Sequence, residues 1–344
     1  MLADALFGEA LMTQTQIAVS LSLCLLFTGV NPWRLTQKDR TANKQSTPQA
    51  AAADTAVRVM WQEPRDLESR DLFYGSGGPA GAPDPASRFK FIRRQGSPTD
   101  PSEKIIVEDE RGRRWTVKFG PETRPETTAA RIVWAAGYHT DQDYFVKRAH
   151  IDGRGGFDVW NVRFERRNDG FDDQGNWSWK QNPFDNTRDL QGLKVLMALV
   201  NNWDLSDANT KIVLDTNDSQ GRLVYYISDL GASLGTTHSW LTRLPGNADA
   251  AGPGSRGDAD AFARHPFIDG VRDGRVVFHW ERKFALYVLD GVTVENAHWI
   301  GNLLGRLSDK QLADACRAGG FDDAEVATYV RALRDRIRQL QSLK

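Results

Sequence analysis

The stretch NNWDLSDANTKIVLDTNDSQGRLVYYISDLGASLG, residues Asn201–Gly235, decides which fold we expect for this chain. It contains D-L-x-x-x-N at Asp204–Asn209, then two β-prone runs joined by a polar turn, and then D-L-G at Asp229–Gly231. The two runs predict a β-hairpin. A carboxylate beside an attacking hydroxyl group, followed by an amide and a second carboxylate as oxygen ligands for Mg²⁺, is the set of groups that phosphoryl transfer requires.

Short strands are expected upstream of this stretch. Three β-prone runs, Phe89–Gln95, Lys104–Glu110 and Arg114–Gly120, are separated by turn sequences and predict an antiparallel sheet. Because side chains alternate along a strand, the apolar residues of the third run share one face, and Thr116 and Lys118 share the other. That second face is the candidate wall of a cleft.

Helices are expected on both sides of the hairpin. Thr123–Gly137 predicts a helix, with Thr123 as the N-cap and Glu126 closing a T-x-x-E capping box. Residues 190–200 are apolar nearly all round and predict a buried helix. Near the C-terminus, capping boxes at Ser308–Gln311 and Asp322–Glu325 begin the last two helices, and the Arg-rich side of the final helix is interpreted as a solvated face.

The order of these elements resembles the protein-kinase-like fold over about residues 89–235. The resemblance implies an α+β, bilobal fold, with a small antiparallel-sheet N-lobe that carries one helix and a mainly helical C-lobe. It implies that ATP and Mg²⁺ bind between the lobes and that a phosphoryl group passes to a hydroxyl acceptor.

The resemblance also implies roles for single residues. Asp204 would orient or deprotonate the acceptor hydroxyl, and Asn209 and Asp229 would bind Mg²⁺. Lys118 would bind the α and β phosphates as part of the catalytic set, and Glu126 would pair with Lys118.

The loop that would cover the phosphates begins at Gly96 and Ser97 and lacks G-x-G-x-x-G. Asn202 and Trp203 replace the usual His-Arg, and Ser206 stands where protein Ser/Thr kinases carry a lysine. These departures look more like the atypical branches, such as the HipA-like, secretory-pathway and phosphatidylinositol kinases.

The N-terminal region predicts export. Residues 17–30 form a nearly uncharged apolar run that is typical of a signal peptide and short for a membrane span. We expect a signal peptide or hydrophobic segment at 1–30, a flexible tether at 31–57, an N-lobe with a leading loop segment at 58–165, and a C-lobe with the catalytic loop at 166–344. The mature chain would have no integral membrane domain and would lie in the periplasm or cell envelope. The alternatives are a buried or frayed N-terminal helix and a cytoplasmic protein.

Composition excludes several classes. The 344 residues contain 44 Lys and Arg against 45 Asp and Glu, so no global positive field attracts nucleic acid. Cys24 and Cys316 are too few for a disulfide framework or a cysteine-based zinc site. The expected partners are a nucleotide and a hydroxyl-bearing protein, lipid or small molecule.

Each candidate residue also has a simpler interpretation. Asp204 and Asn209 would suit the polar turn after a buried helix, and Asp229 would suit a cap before glycine. Glu126 is explained equally by the capping box. Lys118 would also suit a solvated strand position.

Two further functions compete with phosphoryl transfer. The G-x-S-x-G match at Gly231–Gly235 would make Ser233 the nucleophile of a serine hydrolase. That function needs a βα-rich parallel sheet upstream and a later acid and histidine, with His265, His279 and His298 as the candidate bases. A non-catalytic, kinase-like envelope protein that binds or scaffolds is the other alternative, because extracytoplasmic compartments of bacteria hold little ATP.

Overall fold

The structure is a computed structural model and describes residues 56–96, 103–153, 155–167, 170–218, 221–237, 255–280 and 286–344. The predicted signal segment at 1–30 and the predicted loop residue Ser97 lie outside these ranges. The elements follow in this order: β1 (Val57–Val59), α1 (Gly78–Gly81), β2 (Arg88–Gln95), β3 (Lys104–Glu108), β4 (Arg114–Lys118), α2 (Thr123–Ala135), β5 (His139–Thr140), β6 (Asp143–Asp152), β7 (Phe157–Arg166), β8 (Phe171–Asp173), α3 (Arg188–Leu199), β9 (Thr210–Asp215), β10 (Arg222–Ile227), α4 (Ala259–Arg264), β11 (Ile268–Arg272), β12 (Arg275–Phe278), α5 (Leu286–Leu289), α6 (Val294–Gly305), α7 (Asp309–Ala318) and α8 (Asp323–Gln341). Among the described helices, none is both long and apolar enough to cross a membrane.

Five of the strands close into a barrel in the order β2-β3-β4-β7-β6. Neighbouring strands run antiparallel, except that β2 and β6 pair in parallel and complete the ring. The predicted antiparallel sheet is therefore a barrel with one parallel pairing. Closure gives hydrogen-bonding partners to backbone groups that β2 and β6 would otherwise present as exposed edges.

The barrel interior is apolar, and the outward face of β4 carries polar side chains. Trp115 and Val117 of β4 are fully buried in the barrel core, and Lys118 lies on the opposite face, as alternation predicted. In β7 the alternation shifts at Asn161, whose φ is 52°. As a result Val162 and Phe164 point into the barrel, and Arg163 lies on the outer face beside Lys118.

A second sheet lies outside the barrel, in the order β1-β10-β9-β8. β9 and β10 form the predicted hairpin, and β1 and β5 both pair with β10 in parallel. The predicted buried helix is α3, and it contributes to a large core that is separate from the barrel core. Apolar residues of α2, including Ile132 and Val133, belong to this large core rather than to the barrel. The chain is thus a mixed α+β protein with two apolar cores.

The helix termini test the predicted caps. The capping boxes at Ser308 with Gln311 and at Asp322 with Glu325 are confirmed. The predicted box at Thr123 is wrong, because Glu122 is the N-cap of α2 and makes no side-chain capping bond. The Thr123 hydroxyl instead donates to the carbonyls of Gly120 and Asn161, which leaves Glu126 available for other partners.

Two features of the C-terminal half differ from the predicted helices and the predicted solvated face of the last helix. Arg336 of α8 is buried, and its guanidinium donates to three backbone carbonyls, those of Leu199, Phe262 and His265. The predicted solvated face is therefore wrong at this residue. β11 and β12 form a hairpin that we did not predict, with both turn residues, Asp273 and Gly274, at positive φ.

Candidate functional site

A cavity of about 430 Å³ lies between the outer face of the barrel and the β9–β10 hairpin. Both signs of charge line it. Its walls come from strands of both sheets, from the first turn of α2 and from the chain after β10: Gln95, Lys104, Thr116, Glu126, Asp141, Arg163, Glu165, Arg166, Arg167, Phe171, Asp173, Ala208, Asn209, Lys211, Val213, Tyr226, Ser228 and Asp229.

Lys118, at the end of β4, is surrounded by carboxylates. Its Nζ lies 2.7 Å from Glu122 Oε2, 3.1 Å from Glu126 Oε2 and 2.8 Å from Asp229 Oδ1. The lysine side chain is only 1% exposed. Burial alone would lower the pKa of Lys118, but attraction to Glu126 and then to Asp229 outweighs it and raises the pKa above its ordinary value. Lys118 is therefore a buried lysine whose carboxylate partners favour the charged ammonium form.

Glu126 joins Lys118 to a second buried cation. Four residues separate β4 from α2, so the first turn of the helix presents Glu126 to the end of the strand it follows. While Oε2 accepts from Lys118, Oε1 accepts from Arg163 Nη1. Arg163 also pairs with Asp143 at 3.2 Å and with Glu165 at 2.7 Å. The structure thus forms the Lys118–Glu126 ion pair that the resemblance implied, and uses Glu126 in a larger buried network.

Asp229 enters this network from the other side of the cavity. It follows the end of β10 and adopts a left-handed backbone conformation with φ 48°, which aspartate tolerates better than most residues. Burial raises its pKa, but Lys118 lowers it more, so the pKa of Asp229 lies below its ordinary value. Its side chain is 38% exposed, against 19% for Glu122 and 1% for Glu126. Of the three carboxylates on Lys118, Asp229 is the one most open to solvent and ligands.

The loop after α3 is shaped by its own side chains. Asn202 Oδ1 accepts from the Asp204 amide at 3.0 Å, and Asn209 Nδ2 donates to the Asp204 carbonyl at 3.0 Å. The Ser228 amide donates to the Asn209 carbonyl at 2.9 Å, which joins this loop to the residue before Asp229. Because the Asn209 nitrogen is used within the loop, its side-chain oxygen is the atom available to a ligand.

Four predicted residues meet at one place, and three do not. Asn209, Asp229 and Glu126 line the cavity, and Lys118 bonds to two of them.

Asp204 is exposed and is not among the described residues that line the cavity. Gly96 follows Gln95 at the end of β2 without lining the cavity itself in the described part of the chain, and Ser97 is not described.

The sequence did not reveal the charged residues that surround the Lys118–Glu126 pair. Arg163, Glu165 and Glu122 are all direct partners within the Lys118–Glu126 network. Lys211 pairs with Asp141 at 2.9 Å farther along the cavity wall. Arg163 is the register partner of Lys118 in the β4–β7 pair. Because these two strands are distant in sequence, no motif reveals that the two residues are neighbours.

Ser233 does not have the geometry of a hydrolase nucleophile. Its side chain is fully buried, and its hydroxyl has no hydrogen-bond partner among the described residues. A nucleophile elbow must expose the serine hydroxyl beside a histidine. The three candidate bases all have other ring contacts: His265 with a backbone carbonyl, His279 with Asp269 and His298 with a backbone carbonyl.

Comparison with protein-family models and with curated protein sequences finds no match for this chain. Among solved structures it is similar to the Helicobacter pylori proinflammatory kinase CtkA, at 11% identity and a TM-score of 0.45, with 74% of this chain and 97% of that chain covered. It is also similar to the Rio2 kinase of Chaetomium thermophilum, solved as an ADP/Mg²⁺-phosphoaspartate complex, at 14% identity and a TM-score of 0.29, with 72% of each chain covered. At these TM-scores the likeness assigns no function, so a function has to be argued from the side chains of the cavity.

Proposed function

We propose that this chain is an ATP- and Mg²⁺-dependent phosphotransferase of the protein-kinase-like type, acting on a hydroxyl acceptor. One observation carries the proposal: the buried ammonium group of Lys118 is bonded at once to a helix glutamate, Glu126, and to the aspartate that follows the hairpin, Asp229. A lysine held beside an exposed carboxylate provides a positive site for phosphate and a negative site for the metal that accompanies it.

The network suggests which contact gives way to a ligand. An ammonium group has three donors; Lys118 hydrogen-bonds to Glu126 and Asp229 and forms an ion pair with Glu122. Glu126 is 1% exposed and also bonded to Arg163, so it holds Lys118 in place. Asp229 is 38% exposed and is the partner that can exchange Lys118 for a metal ion. Lys118 would then have a donor for phosphate.

The residues present fit Mg²⁺ bound jointly with phosphates. Among the described residues no group of three or more His, Cys, Asp or Glu side chains could hold a metal ion by itself. Mg²⁺ in nucleotide sites is bound by one or two carboxylates together with substrate phosphates and water, rather than by an all-protein cage. Asp229 and the Asn209 side-chain oxygen are the groups that would hold it. When bound, Mg²⁺ would neutralise charge on the phosphates.

Asp204 has the role of acceptor base in this proposal. Its side chain is exposed, and its backbone carbonyl accepts from the Asn209 side-chain amide, so Asp204 lies in the same loop as one of the metal ligands. An exposed carboxylate there can receive the proton of an incoming hydroxyl group. The acceptor would approach from solvent rather than through the cavity.

The proposal is tested by two isosteric substitutions with different expected effects. Thermal unfolding of the full chain is measured with Mg²⁺ alone, with ATP alone and with MgATP, since a ligand that binds only the folded state stabilises it. MgATP should raise the melting temperature of the wild type and of Asp204→Asn, but not of Asp229→Asn. An equal MgATP shift in Asp229→Asn, or no shift in the wild type, would contradict the proposal.

A further inference from the structure

Three cations lie side by side across the cavity wall. Lys104 of β3 is the register partner of Lys118 of β4, and Lys118 is the register partner of Arg163 of β7. Like charges directly opposite each other on neighbouring strands are destabilising. Such a row therefore needs counter-charges, supplied either by the protein or by a ligand.

Among the described residues, carboxylates form direct ion pairs with only two of the three cations. Lys118 and Arg163 each pair with three carboxylates. Lys104 is partly buried and lines the cavity, yet within the described part of the chain it forms no ion pair. Burial raises the pKa of Asp229, and nearby cations lower it. Lys118 lowers it most, followed by Arg163 and then Lys104. Lys104 is thus electrically close to the site.

The surroundings of Lys104 are also suited to an anion. Its register partner on the other side is Gln95, which accepts a hydrogen bond from Arg167 at 3.2 Å. Lys104, Gln95 and Arg167 all line the same cavity as Asp229. Gln95 holds Arg167 over this wall, and among the described residues Arg167 has no carboxylate partner.

We propose that Lys104 is a phosphate-binding residue that acts beside Lys118 and contacts the polyphosphate chain of the nucleotide. This inference rests on the proposed function. An ammonium group without a carboxylate partner forms strong, charge-assisted hydrogen bonds to phosphate oxygens. The phosphates supply the counter-charge that the row lacks.

The test measures binding of two probes, MgATP and inorganic tripolyphosphate, to the full chain by calorimetry. Lys104→Gln should weaken both by about tenfold, because one charge-assisted hydrogen bond is lost. Lys104→Arg should restore most of that affinity. Lys147→Gln is the matched control, since Lys147 lies on β6 of the same barrel but is exposed and outside the described cavity lining. It should bind both probes like the wild type.

The outcomes separate this inference from the proposed function. Unchanged MgATP affinity in Lys104→Gln would overturn the role of Lys104 and leave the function standing. Binding of tripolyphosphate that depends on Lys104, without binding of MgATP, would support phosphate binding by Lys104 and overturn both its contact with a nucleotide and the proposed function. A wild type that binds neither probe would overturn both.

Discussion

Replacing Glu126 with glutamine should lower the free energy of unfolding by about 3 kcal/mol. Glu126 is 1% exposed, and its two oxygens accept from two different cations, Lys118 and Arg163. Glutamine has one oxygen, so its NH₂ group must face one of the two cations. The lost charge-assisted bond costs about 1.5–3 kcal/mol, and the opposed donors add to it. The total stays near the low end of the 3–5 kcal/mol typical of broken buried pairs, because both cations keep other carboxylates.

The assay is urea unfolding followed by tryptophan fluorescence, with the slope against urea compared to the wild type. Glu122→Gln is the control, because it removes the same charge from the same lysine at a side chain that is 19% exposed. Glu122 also pairs with Arg256 at 3.0 Å, but it is more exposed than Glu126, so that variant should lose less, about 1–1.5 kcal/mol. If Glu126→Gln is as stable as Glu122→Gln, Glu126 does not stabilise the protein by joining Lys118 to Arg163.

Two other predictions concern partly buried His139 and buried Arg336, which lie outside the cavity lining. Burial, with a smaller effect of Arg222, lowers the pKa of His139 from 6.5 to about 4. Between pH 6.5 and pH 4 the unfolded chain binds a proton there that the folded chain does not, so stability should fall with pH by on the order of 3 kcal/mol. His139→Gln should lose that part of the pH dependence in unfolding titrations, and an unchanged pH profile would contradict it. Arg336→Met should cost about 2–4 kcal/mol in urea unfolding, because the carbonyls of Leu199, Phe262 and His265 each lose a guanidinium donor and, in the described part of the chain, only that of Phe262 keeps another, the His265 amide. Exposed Arg338→Met should change stability little. Equal stability of the two variants would refute the role given to Arg336.

Features that depend on neighbouring residues could be predicted from the sequence. The β9–β10 hairpin, the buried helix α3 and the two C-terminal capping boxes each follow from alternation, apolar periodicity or a four-residue motif. Lys118 was placed on the correct face of β4 because its immediate neighbours, Trp115 and Val117, are apolar. In the candidate site, the same reasoning found the residues that carry a recognisable motif.

Features that depend on distant pairing could not be predicted. The parallel β2–β6 contact that closes the barrel joins residues about sixty positions apart and has no local signature. Arg163 is one of two arginines in β7, and only the pairing of β7 with β4 places it against Glu126. The capping-box motif at Thr123 was misleading, since two buried cations attract Glu126 more strongly than a helix terminus does. The β11–β12 hairpin, by contrast, could have been predicted, because Asp273-Gly274 is a dipeptide typical of two-residue hairpin turns.

The most direct test of the nucleotide site is a crystal structure of the chain with Mg²⁺ and a non-hydrolysable ATP analogue. We expect Lys118 Nζ to keep Glu126, to leave Asp229 and to contact a phosphate oxygen, while Asp229 and Asn209 bind the metal. An analogue bound elsewhere, or a Lys118–Asp229 pair that stays intact beside a bound analogue, would contradict the assignment of this cavity.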